Sequence, residues 1–171
     1  MSDDQSFDRI HDYPNRLETA DNFCDVWELV KDSVKDALGQ YRVGMMLFLD
    51  DLPLRLGAYH PVGTNNIVLN RTLLDVVHEA VRNCVDVNAF VYTLLLHEYL
   101  HALGYLSESE VQSLALTVSK ECFGPEHVVT QLASAGPWSI LRDVPLRTSY
   151  GPKRALEVVR DFDNPSQGYI A

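Results

Sequence analysis

The chain has 171 residues, with 14 Lys and Arg against 24 Asp and Glu, a formal net charge of −10 and 46% hydrophobic residues. This length and apolar content suit one domain with a buried core. The acidic balance argues against a nucleic-acid partner, because such binding depends on clustered Lys and Arg. The three cysteines form no CxxC pair, so neither a disulfide framework nor a cysteine zinc site is indicated.

The N-terminus, MSDDQSFDRIHDYPNR, is polar and acidic. A secretory signal would need a basic start followed by an apolar run. No window approaches the roughly 18 uninterrupted apolar residues of a membrane span. We therefore expect a soluble, cytoplasmic protein without a membrane partner.

Residues 1–18 mix charges without periodicity and predict a polar N-terminal arm, loose or docked. Apolar residues then recur at helical steps, which predicts a helix that Asp21 caps and Gly39 ends. The short apolar run Met45–Leu49 predicts a buried strand. The segment Leu56–Asn70 predicts strand, loop and strand.

Helices dominate the rest of the predicted domain. Asn70 is expected to cap a helix that reaches Val81. The longest predicted helix runs from Asp86 to about Gly104 and is apolar on nearly every side, which places it in the middle of the domain. Two more helices are predicted, at about Ser107–Cys122 and Pro125–Ser134.

These elements predict an α+β fold in which residues 19–136 form the folded domain. Residues 137–171 would be a C-terminal extension that docks on the domain or covers it. From Trp138 onward the extension holds slightly more basic than acidic residues, whereas residues 1–38 are strongly acidic. That asymmetry could dock one terminus on the other side of the fold, although solvated faces explain it as well.

The central helix contains His97-Glu98-Tyr99-Leu100-His101, an HExxH motif. Residues four apart lie one above the other on a helix, so both imidazoles can reach one metal ion. Neutral imidazole suits Zn2+, and Glu98 is placed to take a proton from a bound water. Apolar neighbours such as Phe90 and Leu94 argue against an ordinary solvent-exposed face.

A catalytic zinc needs a third protein ligand and an open position. The metzincin pattern is excluded, because Ser107 stands where that pattern requires histidine. If the next helix folds back, Glu110 would lie level with His101 and is the favoured third ligand. Glu121 lies further along, and Glu108 differs from Glu110 by about 200° in helical phase, so both remain alternatives, as does the absence of a carboxylate ligand.

The segments HEYLHALG and SESEVQSLA resemble the zincin metallopeptidases of the gluzincin type, especially small single-domain members. The resemblance covers about Leu94–Leu116, and Glu110 with Ala115 matches a Glu-x-x-x-x-Ala spacing in that family. It implies a compact zincin-like domain, with a small sheet packed on the HExxH helix and a glutamate-bearing helix after it. It also implies His97, His101 and Glu110 as zinc ligands and Glu98 as general base.

The function that this resemblance implies is zinc-dependent hydrolysis of peptide bonds in a peptide or protein substrate. The strand at Asn66–Leu69 would then bind an extended peptide along the edge of the sheet. Tyr59, His60, Tyr105 and His127 are candidates by residue type to hold the oxyanion, although such residues more often serve packing. No ExxxD helix or C-terminal subdomain of the larger gluzincins is recognisable.

The alternative function is a zinc-binding, non-proteolytic module that retains the HExxH site and binds a partner. Small size and the terminal segments favour it. A related hypothesis is that the segment after Pro152, which ends in Tyr169-Ile170, lies across the cleft and keeps an enzyme latent.

Overall fold

Helices and a small sheet make up the computed structural model, which describes residues 11–147 and 149–163. Within these ranges the six α-helices are α1 (Tyr13–Glu18), α2 (Phe23–Leu38), α3 (Arg71–Ala80), α4 (Cys84–Ala102), α5 (Glu108–Phe123) and α6 (Val128–Ala135), and a 3-10 helix follows at Pro137–Leu141. The strands are β1 (Met46–Asp50), β2 (Ala58–Tyr59), β3 (Asn66–Asn70) and β4 (Glu157–Val158). The α+β prediction is confirmed.

The sheet is mixed, with the strand order β2-β3-β1-β4. Strands β1 and β3 are parallel, with Phe48 opposite Val68, and β2 runs antiparallel to β3. β3 is therefore an inner strand. The expectation that Asn66–Leu69 forms the edge is wrong, because the chain before it pairs back as β2, with Tyr59 opposite Val68 and the Asn70 N–H donating to the Gly57 carbonyl over 2.9 Å.

Side-chain caps set the helix boundaries close to where the sequence places them. The Asn22 side chain, rather than that of Asp21, caps α2 by accepting from the Asp25 N–H over 2.8 Å. Gly39 ends α2 in the left-handed conformation, with a φ of 70°. Asn70 caps α3 through the Leu73 N–H, as predicted.

Helix α4 forms the middle of the domain, and 13 of its 19 residues are buried. It starts two residues before the predicted Asp86, because Asn83 provides the cap. On the α2 side, the Tyr99 ring meets the Trp27 ring edge-on with centroids 4.9 Å apart, and the Tyr92 hydroxyl lies 2.7 Å from the Ser33 hydroxyl. Such a helix gives its side chains fixed positions.

The described N-terminal residues include a docked helix. In α1 the side chains of Tyr13 and Leu17 are buried. The Asn88 side-chain amide holds this segment to α4 by donating to the carbonyls of Leu17 and Ala20, over 2.9 and 3.0 Å. A helix of six residues is too short to show a periodic pattern in the sequence.

The described C-terminal segment lies along β1, at the opposite edge of the sheet from β2. Strand β4 pairs antiparallel with β1, and the Phe162 ring stacks on Trp27 with centroids 4.8 Å apart. Residues 153–163 therefore cover the far edge of the sheet. Tyr169 and Ile170, the residues that suggested a latent enzyme, lie outside the described residues. Among the described residues, no helix has both the length and the apolar character to cross a membrane.

Candidate metal centre

Two histidines lie one turn apart in the last two turns of α4. The Nε2 atoms of His97 and His101 are 3.2 Å apart, and their ring centroids are 4.9 Å apart. The i, i+4 spacing on a regular helix produces this arrangement. Both side chains are partly buried, so they are held in place yet remain accessible.

A carboxylate from the next helix completes the group. The Glu108 Oε2 atom lies 3.0 Å from His97 Nε2, and its Oε1 atom lies 2.9 Å from His101 Nε2. Gly104, with a φ of 110°, allows the sharp reversal between α4 and α5, since a side chain at this φ would strain the backbone. All three ligand atoms lie within 4.8 Å of one another, so His97, His101 and Glu108 could hold a metal ion.

The spacing of these atoms fits a tetrahedral divalent ion such as zinc. Zinc–nitrogen and zinc–oxygen bonds of about 2.0–2.1 Å place neighbouring ligand atoms about 3.3 Å apart. The two nitrogens are 3.2 Å apart, and each nitrogen lies 2.9–3.0 Å from a different oxygen of the Glu108 carboxylate, so each of these pairs is close to that value. Two imidazoles and one carboxylate leave a fourth position open, as in catalytic zinc sites.

The protonation states also suit metal binding. The Nδ1 atom of His101 donates to the Tyr105 carbonyl oxygen over 2.8 Å, because a carbonyl can only accept. This hydrogen bond fixes the ring and leaves the Nε2 lone pair for a metal. Burial lowers the pKa of His97, although the Glu108 carboxylate acts in the opposite direction. The neutral imidazole that a metal requires is thus favoured at His97.

The structure brings Glu108 to the histidines, and the carboxylates of Glu110 and Glu121 are not part of this group. Glu110 is exposed, and its N–H donates to the Ser107 cap over 3.4 Å. Glu121, also exposed, lies thirteen residues beyond Glu108, about 20 Å along α5. The prediction of Glu110 as third ligand used only its distance along the helix axis. Its angular position around α5 differs from that of Glu108, so Glu108 rather than Glu110 meets the histidines.

The position of Glu108 around the axis of α5 could have identified it as the third ligand. The buried side of α5 includes Val111, Ala115 and Val118. Glu108 precedes Ala115 by seven residues, so the two differ by only about 20° around the helix. Glu108 therefore extends the buried face towards the end of α4.

Glu98 lies beside the histidines but inside the protein, with 7% of its surface exposed. Burial raises the pKa of its carboxyl to about 7, while His101 acts to lower it and Glu108 to raise it further. A carboxylate with this pKa can accept and return a proton near neutral pH. Perturbed carboxyls of this kind are enriched in active sites.

A cavity of about 520 Å3 opens at this group. His97, Glu98 and Glu108 line it together with residues of the segment 55–58, of α4, α5 and α6 and of the 3-10 helix. These include Arg55, Gly57, Ala58, Leu94, Gln112 and Trp138. Sequence reasoning did not identify Arg55, Gln112 or Trp138 as cavity residues. None of them has a spacing pattern that ties it to the HExxH motif.

None of the four candidate oxyanion donors is among the residues that line this cavity. Tyr59 is exposed on β2, and His60 Nδ1 bonds to the Asn66 carbonyl over 2.8 Å. The Tyr105 hydroxyl accepts from Gln40 over 2.7 Å, and His127 caps α6 through the Val129 N–H. For His60, Tyr105 and His127 these contacts support structural roles.

No family model matches the chain, and neither a curated protein nor a solved structure matches it significantly.

Proposed function

We propose that the protein is a zinc-dependent hydrolase, a small metallopeptidase of the gluzincin type. The observation that carries this proposal is the convergence of His97, His101 and Glu108 within 4.8 Å beside the buried carboxyl of Glu98. Glu108 takes the place of the expected Glu110 as the carboxylate ligand. The resemblance of HEYLHALG to zincin sequences agrees with this assignment.

His97, His101 and Glu108 would hold the zinc ion, which when bound would supply Lewis-acid chemistry for the addition of a water oxygen to the scissile carbonyl carbon and cleavage of its bond to nitrogen. Glu98 would accept the proton of that water and donate it to the leaving amine. Its raised pKa suits both steps, since the group must exchange a proton near neutral pH. His97 and His101 would hold the metal as neutral imidazoles.

The cavity indicates how a peptide could reach the site. Gly57 and Ala58 line it at the start of β2, the edge strand on this side of the sheet. An extended peptide could pair with the outer side of β2, with its side chains directed into the cavity or towards solvent. In this proposal β2 replaces the segment Asn66–Leu69 as the strand that binds substrate.

The test begins with the metal. Purified protein, loaded with zinc and freed of excess, should retain about one equivalent, and His97→Ala with His101→Ala should retain none. Cleavage of a peptide library by the wild type is then compared with that of Glu98→Gln. We expect the variant to keep zinc and to lose at least about 100-fold in kcat/KM.

Zinc content and cleavage together decide between the two functions. A wild type that holds zinc but cleaves no peptide in the library would favour the non-proteolytic, partner-binding module. A wild type that holds less than half an equivalent of zinc would exclude both functions. Cleavage that survives Glu98→Gln unchanged would show that a contaminating peptidase is responsible.

A further inference from the structure

Arg55 is the only Lys or Arg among the described residues that line the metal-site cavity. The other charged or titratable residues of the lining are His97, Glu98 and Glu108. The protein as a whole carries a net charge of −10, so the positive charge of Arg55 differs in sign from the overall charge. The Arg55 side chain has no hydrogen bond or ion pair within the part of the chain that the structure describes.

The turn that carries Arg55 is held from inside the domain. Leu56 N–H donates to the Pro53 carbonyl over 2.9 Å, which closes the turn. The Nδ2 atom of Asn70, a residue that is 0% exposed, lies 2.8–3.0 Å from the carbonyl oxygens of Leu52, Pro53 and Leu56, so its two N–H groups serve three acceptors and one N–H is shared. Its oxygen also accepts the Leu52 N–H over 3.2 Å. One buried side chain thus fixes the whole turn.

A second contact fixes the turn from the neighbouring 3-10 helix. The Trp138 indole N–H donates to the Leu54 carbonyl over 2.8 Å. Trp138 itself lines the cavity, as does Arg55, so this hydrogen bond joins two neighbouring parts of the cavity lining. The backbone of Arg55 is therefore positioned before any ligand arrives. Such preorganisation lowers the entropic cost of binding.

The geometry points to Arg55 as a specificity residue that binds a carboxylate of the peptide substrate, so that the cavity prefers acidic peptides or peptide C-termini. A guanidinium without a protein partner can form two parallel hydrogen bonds with a carboxylate. The lining beside it includes the apolar residues Leu56 and Leu94, so Arg55 supplies the positive side chain of this part of the cavity. This inference rests on the proposed function, because it names the substrate class for the same cavity.

A binding experiment tests the inference without requiring cleavage. Full-length, zinc-loaded Glu98→Gln protein is titrated into fluorescein-labelled octapeptides, and anisotropy gives Kd. In one arm, Glu, Gln or Lys occupies each position of a neutral sequence in turn, with an amidated C-terminus. In the other arm, the neutral sequence carries either a free or an amidated C-terminus. The two arms distinguish an acidic side chain from a terminal carboxylate.

We expect the carboxylate-bearing peptide of at least one arm to bind about three- to tenfold more tightly than its neutral match, as for one exposed charge-assisted hydrogen-bonded pair. Adding Arg55→Ala should remove this preference, and adding Arg55→Glu should reverse it in favour of Lys-substituted peptides. Adding Arg82→Glu should retain it, because Arg82 is exposed but does not line the cavity.

Three results would overturn the inference: no measurable binding of any carboxylate peptide, no preference for carboxylates, or a preference that survives Arg55→Ala. Each of them leaves the proposed hydrolase function intact, since that function depends on zinc and Glu98. Conversely, a protein that binds carboxylate peptides through Arg55 but never cleaves them would support the inference while excluding the peptidase.

Discussion

The Oε2 atom of Glu108 lies 3.0 Å from Nε2 of His97, although the two residues belong to different helices. The carboxylate is 67% exposed, so burial does not hold it there. The reversal at Gly104 and the Ser107 cap of α5 place it at this point. Glu108 therefore provides an exposed carboxylate next to two imidazoles, of which His101 is fixed by its hydrogen bond to the Tyr105 carbonyl.

Exchange of Glu108 for alanine should weaken zinc binding, whereas the same exchange at Glu110 should not. Loss of a residue that only orients a ligand costs about 10- to 100-fold in metal affinity, so loss of a ligand should cost about 100-fold or more. Competition with a chromogenic chelator measures both affinities. A comparable loss in Glu110→Ala would instead support the ligand that the sequence favoured.

Gly57→Ala should disturb the wall of the cavity. An added Cβ atom would lie 2.8 Å from Leu94 Cδ2 and 3.2 Å from an atom of the Trp138 ring. Because this crowding forces side chains to move, we expect a loss of about 1–3 kcal/mol in the free energy of unfolding. Urea titration gives the stability, and Trp fluorescence reports displacement of Trp138.

The double variant Gly57→Ala/Leu94→Ala provides the control for this steric explanation. Removal of the Leu94 side chain makes room for the new methyl group. The combined loss should therefore be smaller than the sum of the two single losses. Strict additivity would show that Gly57 is required for another reason.

Asp163→Ala should destabilise the fold by about 2–4 kcal/mol, since it removes a buried carboxylate that two backbone N–H groups and Lys31 need, although Lys31 keeps its ion pair with Glu28 at 2.7 Å. The Asp163 carboxylate accepts from Lys31 Nζ over 2.7 Å and from the N–H groups of Gly44 and Met45. The side chains of Lys31 and Asp163 are 3% and 0% exposed. Asp143→Ala, which removes an exposed carboxylate, should change stability by less than about 0.5 kcal/mol. Equal losses would contradict this account.

Stability at acid pH should depend on Asp51. Hydrogen bonds from Arg154, followed by those from Arg71 and Thr72, outweigh burial and hold the pKa of Asp51 well below its ordinary value. A lowered pKa in the folded state stabilises the protein above the pKa of the unfolded chain, about 3.9, and this stabilisation is lost as the pH falls below it. Asp51→Asn should therefore cost about 2 kcal/mol at neutral pH and less at pH 3.

The matched control for this pH dependence is Asp75→Asn. Asp75 also accepts from Arg154, over 2.8 Å, but its side chain is 55% exposed. We expect a change below about 1 kcal/mol at every pH. Urea titrations at a series of pH values compare the two variants. A constant difference between wild type and Asp51→Asn from pH 3 to pH 7 would contradict the argument.

The sequence predicted helices α2 to α6 and the two histidines because those features are local. Caps such as Ser107 and Asn70 and the apolar periodicity of α2 depend on residues a few positions apart. The HExxH spacing likewise fixes its own geometry on a helix. Helix α4 was recognisable because apolar residues cover nearly its whole circumference.

Features that depend on distant residues could not be predicted in this way. The pairing of β4 with β1 joins Val158 to Phe48, and two-residue strands have no pattern of their own. The turn that holds Arg55 depends on Asn70, which also had the visible role of capping α3. For Glu108 the sequence does contain the information, because its angular position around α5 is close to that of the buried Ala115. Distance along the helix axis alone favours Glu110 instead.

Strand β4 also has a consequence for how the chain behaves in concentrated solution. It covers part of the open edge of β1, and the Val159 N–H adds a hydrogen bond to the Leu47 carbonyl over 2.9 Å. Uncovered strand edges pair with other chains and lead to aggregation. A chain shortened before Glu157 would expose this edge beside Met46, which is already 46% exposed. The segment Glu157–Val159 thus protects the β1 edge, and its removal should increase self-association of the protein.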